Sequence, residues 1–564
     1  MKSGNMRLAG VALSLALSMS TSAQAQGDAG SYLAGQNAFA QNDFDDAARY
    51  FTRALARDTT NTNIMEDGTL AYVAAGNVDR AITLARRLHD RLPENQLAAL
   101  LMLADAVKKG EFARATDLLE NTLNLPLLTD VSQAWVLAGA GNMSGALAKF
   151  SELADDQSFA PFALFHQAAA LAWVGDMESA LEILERSDNN GFAVTRTKAT
   201  TVLHAQILAQ IDRGTEALDF VDAYLMTDAD PAVIDLRTRL ATGQEVGFDA
   251  ITQAADGVAE VLVGVASVVM SDQDVLLPLT YARIAEYLRP DHVDATLFSA
   301  SLLERLGQYD IATEAYDRIA NDDPAYFDAE LGRANALGRS GDAEGAIAAL
   351  QTLVSEFPDL ADGHSLLGDM LRREERFAEA TLAYDRAIEL MAASGVEDWF
   401  LYYVRGITHE REDRWDMAEA DFRKALELEP DQPSVLNYLG YSFVEMQINL
   451  DEALQMIRTA VDRRPRDGYI TDSLGWVYYR LGRYEEAVEW MERAASLMAT
   501  DPIVNDHLGD TYWAVGRERE ARFQWMRAMS FEPEEEDAER IRRKLEVGLD
   551  VVLEEEGAPP LHAE

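Results

Sequence analysis

Cysteine is absent from the 564 residues, which removes disulfides, thiolate zinc sites, iron–sulfur clusters and a cysteine nucleophile together. Positive charge is scarce: 49 Lys and Arg stand against 96 Asp and Glu, a net charge of −47 with a pI near 4.4. A field of that sign repels phosphate backbones, so nucleic acid is discounted as a partner. Long apolar runs are missing beyond the N-terminus. The nearest rival, Val258 to Met270, is too short for a bilayer and carries Glu260, so no membrane span is expected.

The signatures of catalysis are missing as well. His409-Glu410-Arg411-Glu412-Asp413 starts like a zinc-protease helix, but Asp413 stands where the second histidine would. No phosphate-cradling glycine loop, nucleophile elbow or calcium loop is found. The eight histidines are scattered, with His364, His409 and His507 at different repeat positions. No catalytic residue, metal ligand or cofactor is assigned, and the chain reads as a non-enzyme.

What is present is apolar residues, 48% of the chain, organised by a beat. At the N-terminus Lys2 and Arg7 precede an apolar stretch from Leu8 to Met19, and Ala23-Gln24-Ala25 supplies a small-x-small cleavage pattern. Residues 1–25 read as a secretory signal cleaved after Ala25, which places the mature protein in the periplasm. Downstream, an alanine preceded by an acidic or small pair recurs at Ala47, Ala81, Ala115, Ala146, Ala180 and Ala217. It returns at Ala312, Ala346, Ala380, Ala418, Ala453, Ala487 and Ala521, and seven of the eleven steps within these runs equal 34. Glycine stands twelve residues before it at Gly368, Gly406, Gly475 and Gly509, and proline often follows it by twelve, as at Pro358, Pro430 and Pro465. Proline lacks the N–H that would continue a helix, so each period reads as a helix, a turn and a second helix. Small residues at facing positions let the two helices approach.

Period, small-residue pair and terminal proline resemble the tetratricopeptide repeat, a 34-residue helix-turn-helix. The resemblance covers residues 28 to 533 apart from one stretch, and repeat Gly468 to Asp501 carries Leu474-Gly475, Tyr478, Tyr484, Ala487, Met491 and Ala494 in the family's order. It implies an all-α solenoid, a right-handed superhelix of helix-turn-helix repeats. The expected organisation is a signal at 1–25, an N-terminal array at 26–242, a degenerate helical section at 243–289, a C-terminal array at 290–533, a capping helix at 534–553 and a loose tail at 554–564. In the degenerate section Gly243, Gly247, Gly257 and Gly264 interrupt the pattern. It is expected either to continue the stack or to act as a hinge.

In such arrays the first helix of each unit lines the inner face. Three successive first helices carry a related polar residue two positions before the leucine of Leu-Gly: Asn437, Asp472 and Asp506. Tyr441, Trp476 and Asp510 follow one turn later, and Tyr479 and Trp513 add aromatic surface. These eight residues form the expected partner-binding set, since amide and carboxylate groups can hydrogen-bond a peptide backbone and aromatics offer contact area at low entropic cost. Arg463, Arg464 and Arg466 form a basic turn that reads as solvated. The run from Leu436 through LNYLGYSFVEMQINLDEAL, GYITDSLGWVYYRLGRYEEAVEWMERA and NDHLGDTYWAVGREREARFQWMRA is similar to a family of bacterial cell-envelope repeat proteins. Some members, anchored as lipoproteins, hold a carboxyl-terminal processing protease together with substrates that include peptidoglycan hydrolases. The resemblance implies a scaffold or adaptor that binds protein or peptide segments, with such a protease or its substrates as the implied partner. The lipidated cysteine of those members has no counterpart here. The alternative is a structural assembly factor of envelope or exopolysaccharide export machinery, working through convex faces and ends.

Overall fold

A computed structural model describes residues 30–156, 158–189, 197–226, 230–271 and 274–562. The expected signal at 1–25 lies outside the described residues. Among them there are 31 helices and no strand, and none of the helices is long and apolar enough to cross a membrane. The fold is an all-α repeat solenoid.

The beat in the sequence has one structural cause. All thirteen marker alanines have no exposed surface, because each sits where its second helix lies against the first helix of its own hairpin. The large residue four positions later packs over the glycine of that first helix: a Cβ on Gly406 would come within 2.7 Å of Phe422, and one on Gly475 within 2.8 Å of Met491. The turn between the helices needs a left-handed residue, supplied in eight of the thirteen hairpins by Gly76, Gly110, Gly141, Gly175, Gly307, Gly341, Gly482 and Gly516 and in the others by Asn42, Asp212, Glu375, Asp413 and Gln447. Glycine adopts this conformation without steric penalty.

The chain divides into two compact units, 1–349 and 350–564. In the first, the first helices Thr62–Ala74, Gln96–Lys108, Leu128–Gly139 and Ala160–Trp173 alternate with second helices Val78–His89, Phe112–Asn121, Met143–Ala154 and Met177–Asn189. The section between the two runs of marker alanines neither continues this stack nor serves as a bare hinge. Its helices Ala254–Val269 and Leu276–Leu288 pair with each other and lie across those four first helices, filling their inner side. Two of its four glycines mark points of close approach: a methyl at Gly257 would collide with the Trp135 indole, and one at Gly264 would come within 2.6 Å of Phe162, whereas Gly243 and Gly247 have nothing near them. Ten consecutive residues of Gln96–Lys108, Ala98 to Val107, are buried as a result. The hairpin brings its own apolar surface, Val258, Val261, Leu262, Leu279, Ile284 and Leu288, each contributing about 1.5–3 kcal/mol relative to exposure. Its charges are paired: Arg283 reaches Glu286 at 3.2 Å, Arg318 reaches the same carboxylate at 2.6 Å, and the Tyr287 hydroxyl donates to Asp105 at 3.4 Å.

In the second unit the first helices are Ala361–Arg373, Trp399–Arg411, Pro433–Glu445, Gly468–Arg480 and Pro502–Ala514, each followed by its second helix. The expected single capping helix is two, Glu535–Val547 and Leu549–Glu555, broken at Gly548 with φ +86°. The break lets Ile541 and Leu549 join the core of the last repeats, and Val552 is buried as well. The tail expected to be loose is tied down as far as His562: the Leu561 and His562 amides donate to Asp550 at 2.6 and 3.1 Å.

Candidate functional site

Asn437, Asp472 and Asp506 are each the fifth residue of successive first helices, and Tyr441, Trp476 and Asp510 the ninth. The helices present these positions side by side, but the three rungs meet different surroundings.

The last rung is occupied by the chain itself. Lys544 of the cap, with no exposed surface, places its ammonium 2.7 to 2.9 Å from both carboxylate oxygens of Asp506 and of Asp510. The Trp525 indole donates to Asp510 at 2.9 Å, and Trp513 donates to Asp550 of the cap at 2.9 Å. Burial, with the Asp510 charge beside it, holds the Asp506 carboxyl above its usual range despite Lys544. Asp506, Asp510 and Trp513 therefore face the chain's own cap rather than an open groove. A lysine 34 residues beyond Asp510, on a helix read only as a cap, gave no reason in sequence to expect it there.

The middle rung is half closed. Trp476 stacks between Tyr479, at 4.6 Å and 5°, and His507, at 4.1 Å and 12°. Its indole N–H donates to Glu445 at 2.8 Å. Trp476, Tyr479 and Trp513 are each only 8% exposed, so the open aromatic platform expected of them is instead internal packing. Asp472 Oδ2 lies 2.9 Å from His507 Nδ1, while Asp472 Oδ1 has no partner. Burial opposes charge on His507, but Asp472, Asp506 and Asp510 outweigh it and raise its pKa.

The first rung is open. Asn437 and Tyr441 line a cavity of about 450 Å³ with Asp472, and Asn437 Oδ1 has no partner either. Trp415, Tyr438 and Tyr469 supply its aromatic walls, and Glu410 and Glu445 its acidic ones. The Tyr438 hydroxyl donates to Glu410 at 3.2 Å. Burial and the neighbouring Glu445 and Asp472 carboxylates push the Tyr441 hydroxyl up, so it stays protonated. The cavity thus offers hydrogen-bond acceptors and apolar rings to a donor-bearing, partly apolar guest. Glu445 was within reach of sequence reasoning, standing four residues after Tyr441 on one helical face.

Elsewhere, His409 is buried beside Asp421 at 3.8 Å, and burial lowers its pKa. Asp421 in turn holds Arg405 through two contacts of 2.7 and 2.8 Å. Arg463 pairs with Asp431, and Arg464 donates to Ser434 at 3.4 Å. A second cavity of about 290 Å³ in the first unit is also acidic, and its lysine is already engaged, with Lys198 2.6 Å from Asp294 and 3.1 Å from Asp230.

Family models described as tetratricopeptide repeat match residues 38–104, 331–394, 399–432 and 447–502. The chain is a tetratricopeptide-repeat protein. The TPR repeat-containing protein PA4667 of Pseudomonas aeruginosa is 30% identical over 194 residues, which are 34% of this chain and 32% of that protein. Human Tetratricopeptide repeat protein 13 is 27% identical over 195 residues, 33% of this chain and 22% of that protein. The chain thus spans about a third or less of the curated relatives it matches. Among solved structures, the APC/C hetero-tetramer Cut9–Hcn1 matches with 14% identity, coverage of 94% and 98%, and a TM-score of 0.39. Yeast Tom70 matches with 13% identity, coverage of 94% and 99%, and a TM-score of 0.35. Tetratricopeptide-repeat proteins bind peptides or proteins and are in general scaffolds without catalytic activity. In this tetratricopeptide-repeat protein an open stretch of first-helix surface, among the described residues, is the 410–507 cavity.

Proposed function

We propose that this protein is a non-enzymatic adaptor that captures an extended segment of a partner protein in the 410–507 cavity. The observation that supports this reading is the pair of acceptor oxygens, Asn437 Oδ1 and Asp472 Oδ1, left without partners at an otherwise well-matched cavity. A fold gains nothing from such atoms, because a buried acceptor without a donor costs about 1–3 kcal/mol. A ligand that brings N–H groups removes that cost. In the fuller form of the proposal the adaptor works in the periplasm after cleavage at Ala25, and the captured segment belongs to a carboxyl-terminal processing protease or to one of its substrates. The C-terminal sequence motifs support this part.

Asn437→Leu and Tyr441→Ala are the testing variants. Each is expected to weaken partner capture from a periplasmic extract by about 1–4 kcal/mol, the range of an interface anchor. Asn437→Leu should leave the melting temperature unchanged or raise it, since it removes an unpaired acceptor. Capture of every partner at undiminished strength by both variants would reject the cavity as the site. Fractionation and N-terminal sequencing, with Gln26 as the expected first residue, test the location.

A further inference from the structure

The three rungs are versions of one design, and the last shows what it holds. At the fifth and ninth positions of Pro502–Ala514 stand two aspartates, and the guest between them is a fully buried lysine ammonium with four carboxylate contacts. The neighbouring rungs keep the acidic character without the guest. Asp472 is 6% exposed, and His507 fixes one of its oxygens while the other has no partner. Asn437 on the adjacent helix holds a second unpaired acceptor, buried like that of Asp472 so that both side chains turn to meet a guest, and Glu410 and Glu445 also line the cavity. Against these three carboxylates the lining carries Arg411, which is mostly exposed and leans on Glu410 at 3.7 Å, and His507, whose ring is already engaged by Asp472 Oδ2 at 2.9 Å. Tyr438, Tyr441 and Tyr469 are placed to cover an aliphatic stem.

We propose that the cavity selects its protein segment through a lysine side chain, whose ammonium is received by Asp472 and Asn437 as Lys544 is received by Asp506 and Asp510. This inference rests on the cavity being a segment-binding site, as proposed above, and adds the chemistry of what enters it. Charge complementarity favours a cation over the carboxylate or phosphate that a basic groove would take. Single acceptors on two different helices suit a compact ammonium with three donors better than the planar fork of arginine.

The test uses the full chain and labelled nonapeptides of serine, glycine and leucine with one central residue: lysine, Nε-acetyl-lysine or arginine. By fluorescence anisotropy the lysine peptide is expected to bind at least about tenfold more tightly than its acetylated counterpart, the loss typical of removing one side of a charge-assisted contact. Asp472→Asn should abolish that difference, whereas Glu485→Gln, an equal charge change on an exposed second-helix residue, should preserve it. Asn437→Asp should tighten the lysine peptide severalfold and leave the acetylated one unchanged, which keeps the test informative if Asp472→Asn disturbs the fold. Equal binding of the lysine and acetyl-lysine peptides would overturn the lysine assignment while leaving segment capture intact. Preference for arginine would overturn it in favour of a guanidinium site. A difference that survives in Asp472→Asn would mean that the lysine binds elsewhere on the acidic surface. Binding of no peptide also overturns the assignment, and the capture experiment with Tyr441→Ala then decides separately whether the cavity is a partner site.

Discussion

The inner side of the four first helices from Thr62–Ala74 to Ala160–Trp173 is covered by the chain's own Ala254–Val269 and Leu276–Leu288 helices, whereas Trp399–Arg411 and Pro433–Glu445 contribute Glu410, Asn437 and Tyr441 to an open cavity. Both regions are built on the same hairpin with the same buried alanine. Their first helices differ in what they present. Gln96–Lys108 reads QLAALLMLADAVK and is buried around its whole circumference, as a helix apolar on all sides must be. Pro433–Glu445 reads PSVLNYLGYSFVE and buries only Val435, Leu436, Leu439, Gly440, Phe443 and Val444, leaving Asn437 and Tyr441 on the other face. Shared repeat geometry therefore does not imply a shared groove. Between these extremes lies Pro502–Ala514, whose acidic inner face is closed by Lys544.

The comparison breaks most severely at Lys544. Replacing it by methionine leaves Asp506 and Asp510 with only Arg540, 3.4 Å from Asp510 and 4.0 Å from Asp506, as an ion-pair partner and is expected to destabilise the second unit by about 3 kcal/mol, the low end for a broken buried pair. Adding Asp506→Asn and Asp510→Asn should recover most of that loss. Urea unfolding followed by tryptophan fluorescence measures both, because six of the eight tryptophans lie after residue 398. A smaller effect is expected from Gly257→Val, which forces a side chain into the Trp135 indole and should cost the first unit about 1–3 kcal/mol as overpacking. Hydrogen exchange along Ala254–Val269 should quicken while that along Gly468–Arg480 stays as it was. Uniform quickening in both would contradict independent units.

The smallest contrast is between two histidines. His166, buried among aromatic rings and accepting the Trp135 N–H at 3.1 Å, has its pKa lowered to about 3 by burial. Below its ordinary 6.5 the unfolded chain binds the proton that the folded one refuses. Its contribution is therefore lost as pH falls from 6.5 towards 3, by at most about 1.4 kcal/mol per pH unit. His507 has the opposite sign. Its raised pKa gives stability that is full below 6.5 and disappears as pH rises through the folded value. Histidine-selective NMR titration should place the two on opposite sides of 6.5, and Asp472→Asn should move His507 downward only.

Much of the repeat was legible because its cause is local. A 34-residue beat of alanine, with glycine facing a large residue, can arise only where two helices meet at one fixed contact, and thirteen buried alanines follow from it. The eight partner-site residues were legible as positions on first helices, but not as surroundings. Asn437 and Tyr441 line a cavity, Asp472 shares itself between that cavity and His507, and Trp476 and Tyr479 stack inward. Asp506, Asp510 and Trp513 meet the cap. What covers a face depends on a segment far away in sequence, and no periodicity within the helix encodes it. One signal was available and unread: glycines at Gly257 and Gly264 in an otherwise apolar helix mark close approach to another element rather than a break in the stack.

The sequence by itself determined the hairpin, its period, its turns and the absence of cysteine chemistry, because each depends on contacts between residues a few positions to one repeat apart. Only the tertiary structure decided which inner faces are used internally and which remain open. That choice is made by two apolar helices and one lysine arriving from outside the repeats they cover, and their burial outweighs any preference written in the repeats themselves.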